Sequence, residues 1–354
     1  MGSGAELCRG FHDDVLAPLL AATPYAAGLL GAGSDVLRHD DERSTDHDWG
    51  PRATVFVAAD DLQGTRADLD ARLPATYDGH PLSMGRDGRL DRHHVEVTTL
   101  DDWLVAQLGL DPRRGMSVQD WLLVPQQRLL GTTAGPVFHD PSGELAGVRQ
   151  LLAWYPDDMW WWLQACQWRR LAQEEPWVQR THEIGDDLGS SVVAARLVRE
   201  AKRLVLLQER TYAPYGKWLG TAFAPLGRRD GLETHLHGAV AAPHLLGREA
   251  ALTAAYACLA VRHNEMTGDA LDPSARRFHD RPATVLGADR FADGCLRRVD
   301  DPELRALPLI GSVDQFCDST EILDDPAACR RLASVYGIPS PAGGRRPPST
   351  GAEL

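Results

Sequence analysis

The spacing of apolar residues changes character near residue 140. Before it, short apolar runs alternate with amphipathic segments. Residues 5–22 set Phe11, Val15, Leu16, Leu19 and Leu20 at helical spacing, and Pro24 ends that pattern. Residues 26–30 read as a short buried strand, and Gly31-Ala32-Gly33-Ser34 as a turn. The clearest strand is 52–59, Arg-Ala-Thr-Val-Phe-Val-Ala-Ala, bounded by Pro51 and Asp60-Asp61. A helix over 60–73, a strand over 95–99 and a helix over 101–110 follow. This alternation predicts an α/β domain over 1–140. After Pro141 the period is helical, with segments at 144–154, 158–174, 190–210 and 246–263. A helical bundle over 141–338 is therefore expected. Dense Pro and Gly beyond 338 mark 339–354 as a flexible tail. The fold class is α+β, a small mixed sheet followed by helices.

Composition narrows the class of protein. The chain has 354 residues, a length for about two domains at ~150 residues each. Hydrophobic residues make up 43% and charged residues 25%, the balance of a globular protein with a real core. A net charge of −13 argues against a protein that coats nucleic acid or anionic lipid. No run approaches the ~18 apolar residues of a membrane helix. The six cysteines are far apart and form no CxxC, so neither structural zinc nor a disulfide scaffold is expected. The first residues lack the basic and apolar segments of a signal peptide, and Glu6 breaks the myristoylation pattern. A cytoplasmic location is expected.

Chemistry concentrates between Gly31 and Gly50. Gly33-Ser34 is followed, after eleven residues, by Asp46-His47-Asp48. On a strand, residues two apart share a face, so the two carboxylates would stand side by side. Such a pair repels unless a cation sits between them. Hard oxygen ligands of this kind suit Mg²⁺ that also takes ligands from substrate phosphates. A glycine–serine turn opening a short helix offers backbone N–H groups and a hydroxyl to those phosphates. Glu96, between Val95 and Val97 on the strand at 95–99, is the candidate third carboxylate. Read alone, the acids Asp46 and Asp48 also fit an exposed acidic turn, and Glu96 a solvated strand face.

The helical half offers a second set. Arg196, Arg199, Arg203 and Arg210 fall at spacings of three, four and seven, on one helix face, opposite Leu197, Ala201, Leu204 and Val205. Such a stripe is either a solvated face or a wall facing phosphate. Lys217 follows a turn set by Pro214 and Gly216, between Tyr215 and Trp218. That pair could sandwich a base or sugar while the ammonium meets a phosphate; equally, Tyr212, Tyr215 and Trp218 could be core aromatics. Asp314-Gln315-Phe316, after a Gly-Ser turn, reads as the far wall of a cleft or as a helix cap. The run Trp160-Trp161-Trp162 reads as packing.

Gly33-Ser34, then Asp46-x-Asp48, then an apolar-Glu-apolar strand together resemble the polymerase-beta-like nucleotidyltransferase superfamily, although His47 stands where an apolar residue is usual. Asp46-His-Asp-Trp-Gly-Pro-Arg52, Tyr212-Ala-Pro-Tyr-Gly-Lys-Trp218, His263-Asn264, Arg281-Pro282 and Gly311-Ser-Val-Asp-Gln-Phe316 resemble the domain of unknown function 4037, a nucleotidyltransferase-like family. The resemblance implies a nucleotidyltransferase-type N-terminal domain and transfer of a nucleoside monophosphate with release of pyrophosphate. Asp46, Asp48 and Glu96 would then be catalytic and hold Mg²⁺ or Mn²⁺. Gly33 and Ser34 would hold the β- and γ-phosphates of a nucleoside triphosphate, with ATP the expected one. Arg52, Arg199, Arg203, Tyr215 and Lys217 complete the nucleotide-binding candidates. The acidic charge balance favours a small-molecule or protein acceptor over nucleic acid. Two other readings stay open: a nucleotide-sensing or antitoxin-like module of the same fold, and a metal-dependent phosphohydrolase, raised by five His-Asp dipeptides.

Overall fold

A computed structural model describes residues 3–40, 49–83 and 94–337. The chain opens with α1 (Gly4–Phe11), started by a reciprocal cap in which Ser3 and Glu6 each take the other's backbone N–H. The expected first helix continues through a wider π turn at His12–Leu16 into α2 (Ala17–Leu19), so its apolar face is re-aimed part-way along. Strand β1 (Ala26–Gly28) precedes the 31–34 turn, and β2 (Ala53–Phe56) follows it, buried along its whole length. After α3 (Leu62–Arg72) come the two-residue strands β3 (Thr76–Tyr77) and β4 (His80–Pro81) of a hairpin, then β5 (Val95–Thr98) and α4 (Leu100–Leu108). Two short helices, α5 (Val118–Leu123) and α6 (Gln126–Thr133), lead to β6 (Val137–His139).

The main sheet has the order β5-β2-β1-β6. β2 and β5 run parallel, with Ala53 opposite Val95 and Thr54 opposite Glu96, while β1 is antiparallel to both β2 and β6. The sheet is small and mixed, as the fold class requires. The rest is helical: α7 (Glu144–Leu151), α8 (Asp157–Glu174), α9 (Trp177–Glu183), α10 (Asp187–Gln208), α11 (Gly216–Gly227), α12 (Leu232–Ala241) and α13 (Leu245–Thr267). A second two-stranded ribbon, Arg276–Arg277 with Thr284–Val285, is followed by α14 (Asp289–Leu296), α15 (Pro302–Ala306) and α16 (Val313–Phe316).

The largest hydrophobic core draws on both sides of residue 140. Leu30, Phe56 and Trp103 meet Trp160, Trp162 and Tyr212 within it. The tryptophan run is packing, with Trp161 lying between this core and a second one inside the helical part. Among the described residues, no helix is long and apolar enough to cross a membrane.

Candidate functional site

Two clefts meet at Ala32. The larger, about 800 Å³, has Gly33 and Ser34 on one side and Arg199, Arg203, Tyr215 and Lys217 on another. The smaller, about 440 Å³, is lined by Arg52, Thr54, Glu96 and Arg128 among others. Residues spread across the sequence thus converge on one continuous region.

The 31–34 turn is held from below and from the side. Gly31 N–H donates to the carbonyl of Gly131 in α6 (2.9 Å), an approach so close that a side chain at Gly131 would run into the Gly31 backbone. Gly33 sits at φ +140°, and a Cβ there would overlap the Arg52 guanidinium and the Asp35 carboxylate. Arg52 donates from Nε and Nη2 to the two Asp35 oxygens (2.9 and 2.6 Å) and from Nη2 to the Ala32 carbonyl (2.9 Å). Arg52, expected on phosphate, is therefore engaged in bracing the turn, with Asp35 only 1% exposed.

The short helix expected after Ser34 does not form. Residues 34–38 make successive turns, closed by a hydrogen bond from His39 N–H to the Ser34 carbonyl (2.8 Å), with Arg38 at φ +56°. The Asp35 carboxylate takes the Val36 N–H (2.9 Å) within these turns.

Helix α10 buries Leu197, Ala201, Leu204 and Val205, the apolar side read from the sequence. Its arginine stripe divides. Arg196 pairs with Glu174 (2.6 Å), and Arg210, past the helix end at φ +50°, pairs with Asp157 and lies over Trp160. Arg199 and Arg203 line the larger cleft. Arg199 forms a two-pronged ion pair with Asp318, which holds its charge firmly and draws the Asp318 carboxyl below its ordinary range. Arg203 donates to the Asp314 carbonyl and is enclosed enough that burial lowers its pKa.

Lys217 lies in the first turn of α11. Its position is set by the Tyr212–Tyr215 segment, where Gln126 and Gln127 side-chain oxygens accept from Ala213 N–H (2.7 Å) and Tyr215 N–H (2.9 Å). The aromatic sandwich does not form. Trp218 is 9% exposed, donates to the Tyr215 hydroxyl (2.8 Å), and has Lys217 Nζ 4.7 Å from its ring centroid and His39 against it. Tyr215 alone remains available, at 43% exposed, on the cleft wall. Tyr212 is buried and donates to the Leu152 carbonyl, as the core reading required.

The far wall is Asp314-Gln315. Gln315 accepts from Ser312 N–H at the start of α16 and donates to Gln167 (2.8 Å), so it both caps its helix and closes the cleft. The Asp314 carboxylate accepts from Gln126 N–H (3.0 and 3.1 Å), and burial pushes its pKa up to about 6. Gln126 and Gln127 were not foreseen; two glutamines directly after Pro125, within an apolar stretch, were the available signal.

On β5, Val95 and Val97 enter the core while Glu96 points outward into the smaller cleft beside its register partner Thr54. The cleft walls raise the Glu96 pKa by desolvation, against the pull of Arg66. Asp46 and Asp48 lie outside the described residues. Among the described residues, no group of three or more His, Cys, Asp or Glu side chains is arranged to hold a metal ion.

Residues 121–219 match the family model described as Domain of unknown function (DUF4037). Over that span, which includes Tyr212–Trp218, the chain is similar to this family. The stretch contains Gln126, Gln127, Arg199, Arg203, Tyr215 and Lys217, one wall of the larger cleft. A solved structure described as a nucleotidyltransferase-like protein from Exiguobacterium sibiricum 255-15 is similar at 11% identity, over 77% of this chain and 83% of that chain, with a TM-score of 0.31. A likeness that loose carries no weight for fold or activity. Among curated proteins, none matches the chain.

Proposed function

We propose that this protein is a metal-dependent nucleotidyltransferase that moves a nucleoside monophosphate from a nucleoside triphosphate, ATP the expected one, to a small-molecule or protein acceptor. The observation that carries the reading is the larger cleft, where the Gly33-Ser34 turn faces Arg199, Arg203 and Lys217. Arg199, Arg203 and Lys217 around one turn suit a polyphosphate that displaces Asp318, which shares the cleft with Asp314 and Asp324. In this reading the sheet-bearing part, 1–140, holds the triphosphate and the helical part, 141–338, closes over it.

Gly33 N–H and the Ser34 hydroxyl hold the β- and γ-phosphates. Arg203 and Lys217 neutralise their charge, and Arg199 does so by exchanging Asp318 for a phosphate oxygen. Tyr215 stacks on the base. The oxygen-only donor set of Asp46, Asp48 and Glu96 fits Mg²⁺ or Mn²⁺, and the Glu96 carboxylate has no hydrogen bond among the described residues. Bound there, the ion supplies positive charge to the transferring phosphoryl group. Arg52 acts through Asp35 and the turn, as a positioning residue. The acceptor oxygen bonds to the α-phosphorus, the bond to the β-phosphate oxygen breaks, and pyrophosphate leaves. Glu96, on the side of the metal nearer the acceptor, polarises the acceptor's hydroxyl.

Thermal stability with each of the four ribonucleoside triphosphates, with and without Mg²⁺, tests this. A ligand at 100 times its dissociation constant stabilises by ~2.7 kcal/mol, so at least one triphosphate should raise the melting temperature only when metal is present. Equal shifts in EDTA, or none with any triphosphate, would sink the reading. Label on the α-phosphate should then appear on an acceptor; orthophosphate released at multiple turnovers without one would instead favour the phosphohydrolase.

A further inference from the structure

We infer that the smaller cleft receives the acceptor, and that the acceptor is a small molecule carrying an acid group, carboxylate or phosphate, apart from the hydroxyl or amine that is modified. This rests on the transferase reading above. The cleft adjoins the phosphate-facing turn through Ala32 and contains Glu96, so a molecule seated there lies beside both. Its volume of about 440 Å³ suits a metabolite rather than a polymer segment. Leu29, Leu30, Trp103 and Ala106 give it an apolar floor.

The charges decide the acceptor's character. Arg52 is matched by Asp35 within a tight bidentate pair. Arg128 is not matched in that way. Its guanidinium donates to Gln107 (3.2 Å) and to the Asp324 carbonyl, and its ion pair with the exposed Asp324 carboxylate is stretched to 4.0 Å. Its Nε is buried with no hydrogen-bond partner among the described residues. A guanidinium that lines the cleft without a close carboxylate partner offers an acid oxygen a charge-assisted bond. The acceptor is oriented with its acid toward Arg128 and its nucleophile toward Glu96, which without metal repels the same acid group. The balanced step is triphosphate plus acceptor hydroxyl giving the nucleotidyl ester, pyrophosphate and one proton; an amine gives the corresponding amidate.

The test uses the full chain and matched probes: glycerate, lactate, glycerol 3-phosphate and sugar phosphates, each beside its uncharged parent alcohol. At least one acid should raise the melting temperature more than its parent does. Arg128→Gln should weaken that acid's binding by about tenfold or more while the nucleotide response persists, and Arg128→Lys should restore part of it. Should Arg128→Gln fail to fold, Glu96→Gln carries the test. In EDTA, with no metal on Glu96, it removes the repelling charge and should tighten acid binding several-fold. No preference for acids, or a preference untouched by all three variants, overturns the inference. An intact metal-dependent nucleotide response with no acid preference removes the acid subsite alone. An intact acid preference without any nucleotide response removes the transferase reading, and with it the acceptor role.

Discussion

At the scale of single residues, the site depends on a backbone conformation that glycine alone adopts easily. Gly31 and Gly33 both have positive φ, +85° and +140°, but their surroundings differ. A side chain at Gly31 would meet open space, whereas one at Gly33 would strike the Arg52–Asp35 pair. Gly31→Ala should therefore cost about 1–2 kcal/mol, the penalty of a left-handed conformation. Gly33→Ala adds separation of a buried ion pair and should cost about 3 kcal/mol or more, with loss of the nucleotide response. Urea unfolding of the two variants measures the difference. Equal losses would mean that the pair does not hold the turn. Gly33 was legible in the sequence as part of a turn. The reason Arg52 sits near it was not, because the bond joins residues 17 apart through a buried aspartate that no motif singles out.

At the scale of elements, the helical half contains an anion cradle filled by the protein itself. Glu175, at the end of α8, accepts from the backbone N–H groups of Leu286 (2.6 Å), Gly287 (3.0 Å) and Ala288 (3.0 Å). Burial nevertheless outweighs these bonds and pushes its pKa up to about 7. The folded state therefore binds this proton more tightly than the unfolded chain, so Glu175 contributes stability below pH 4.5 that is lost as pH rises to about 7. Glu175→Gln keeps an acceptor oxygen and removes the titration. Its unfolding free energy should fall less between pH 4.5 and 7 than that of the parent chain; identical slopes would show that Glu175 is not the titrating group.

Long helices such as α8, α10 and α13, and the β-branched strand β2, were legible because their periodicity runs long enough to be distinctive. The short helices α5 and α6 and the three-residue β6 were not, since their pairing and packing partners, rather than their own pattern, fix them. The division of the arginine stripe was hidden for a similar reason. Helical spacing places Arg196, Arg199 and Arg203 near one face, but Glu174, Asp318 and the Asp314 carbonyl decide where each one goes.

At the scale of the whole molecule, a core continuous across residue 140 packs the two parts together, so a ligand spanning the larger cleft should stabilise both. That makes global stability a reporter for the acids of the proposed metal site. If Asp46 and Asp48 face one another to hold a cation, their repulsion is unrelieved in metal-free protein. Asp48→Asn should then leave the metal-free protein as stable as before or slightly more so. It should also abolish the melting-temperature rise that Mg²⁺ and nucleotide produce together, and transfer with it. Acids that merely form a turn or cap a helix would behave in the opposite way, since loss of a capping oxygen costs ~1 kcal/mol and leaves the ligand response untouched. Melting curves of both proteins, with EDTA and with Mg²⁺ plus triphosphate, separate the cases. A variant that melts several degrees lower yet responds fully to Mg²⁺ and nucleotide would remove Asp48 from the metal site.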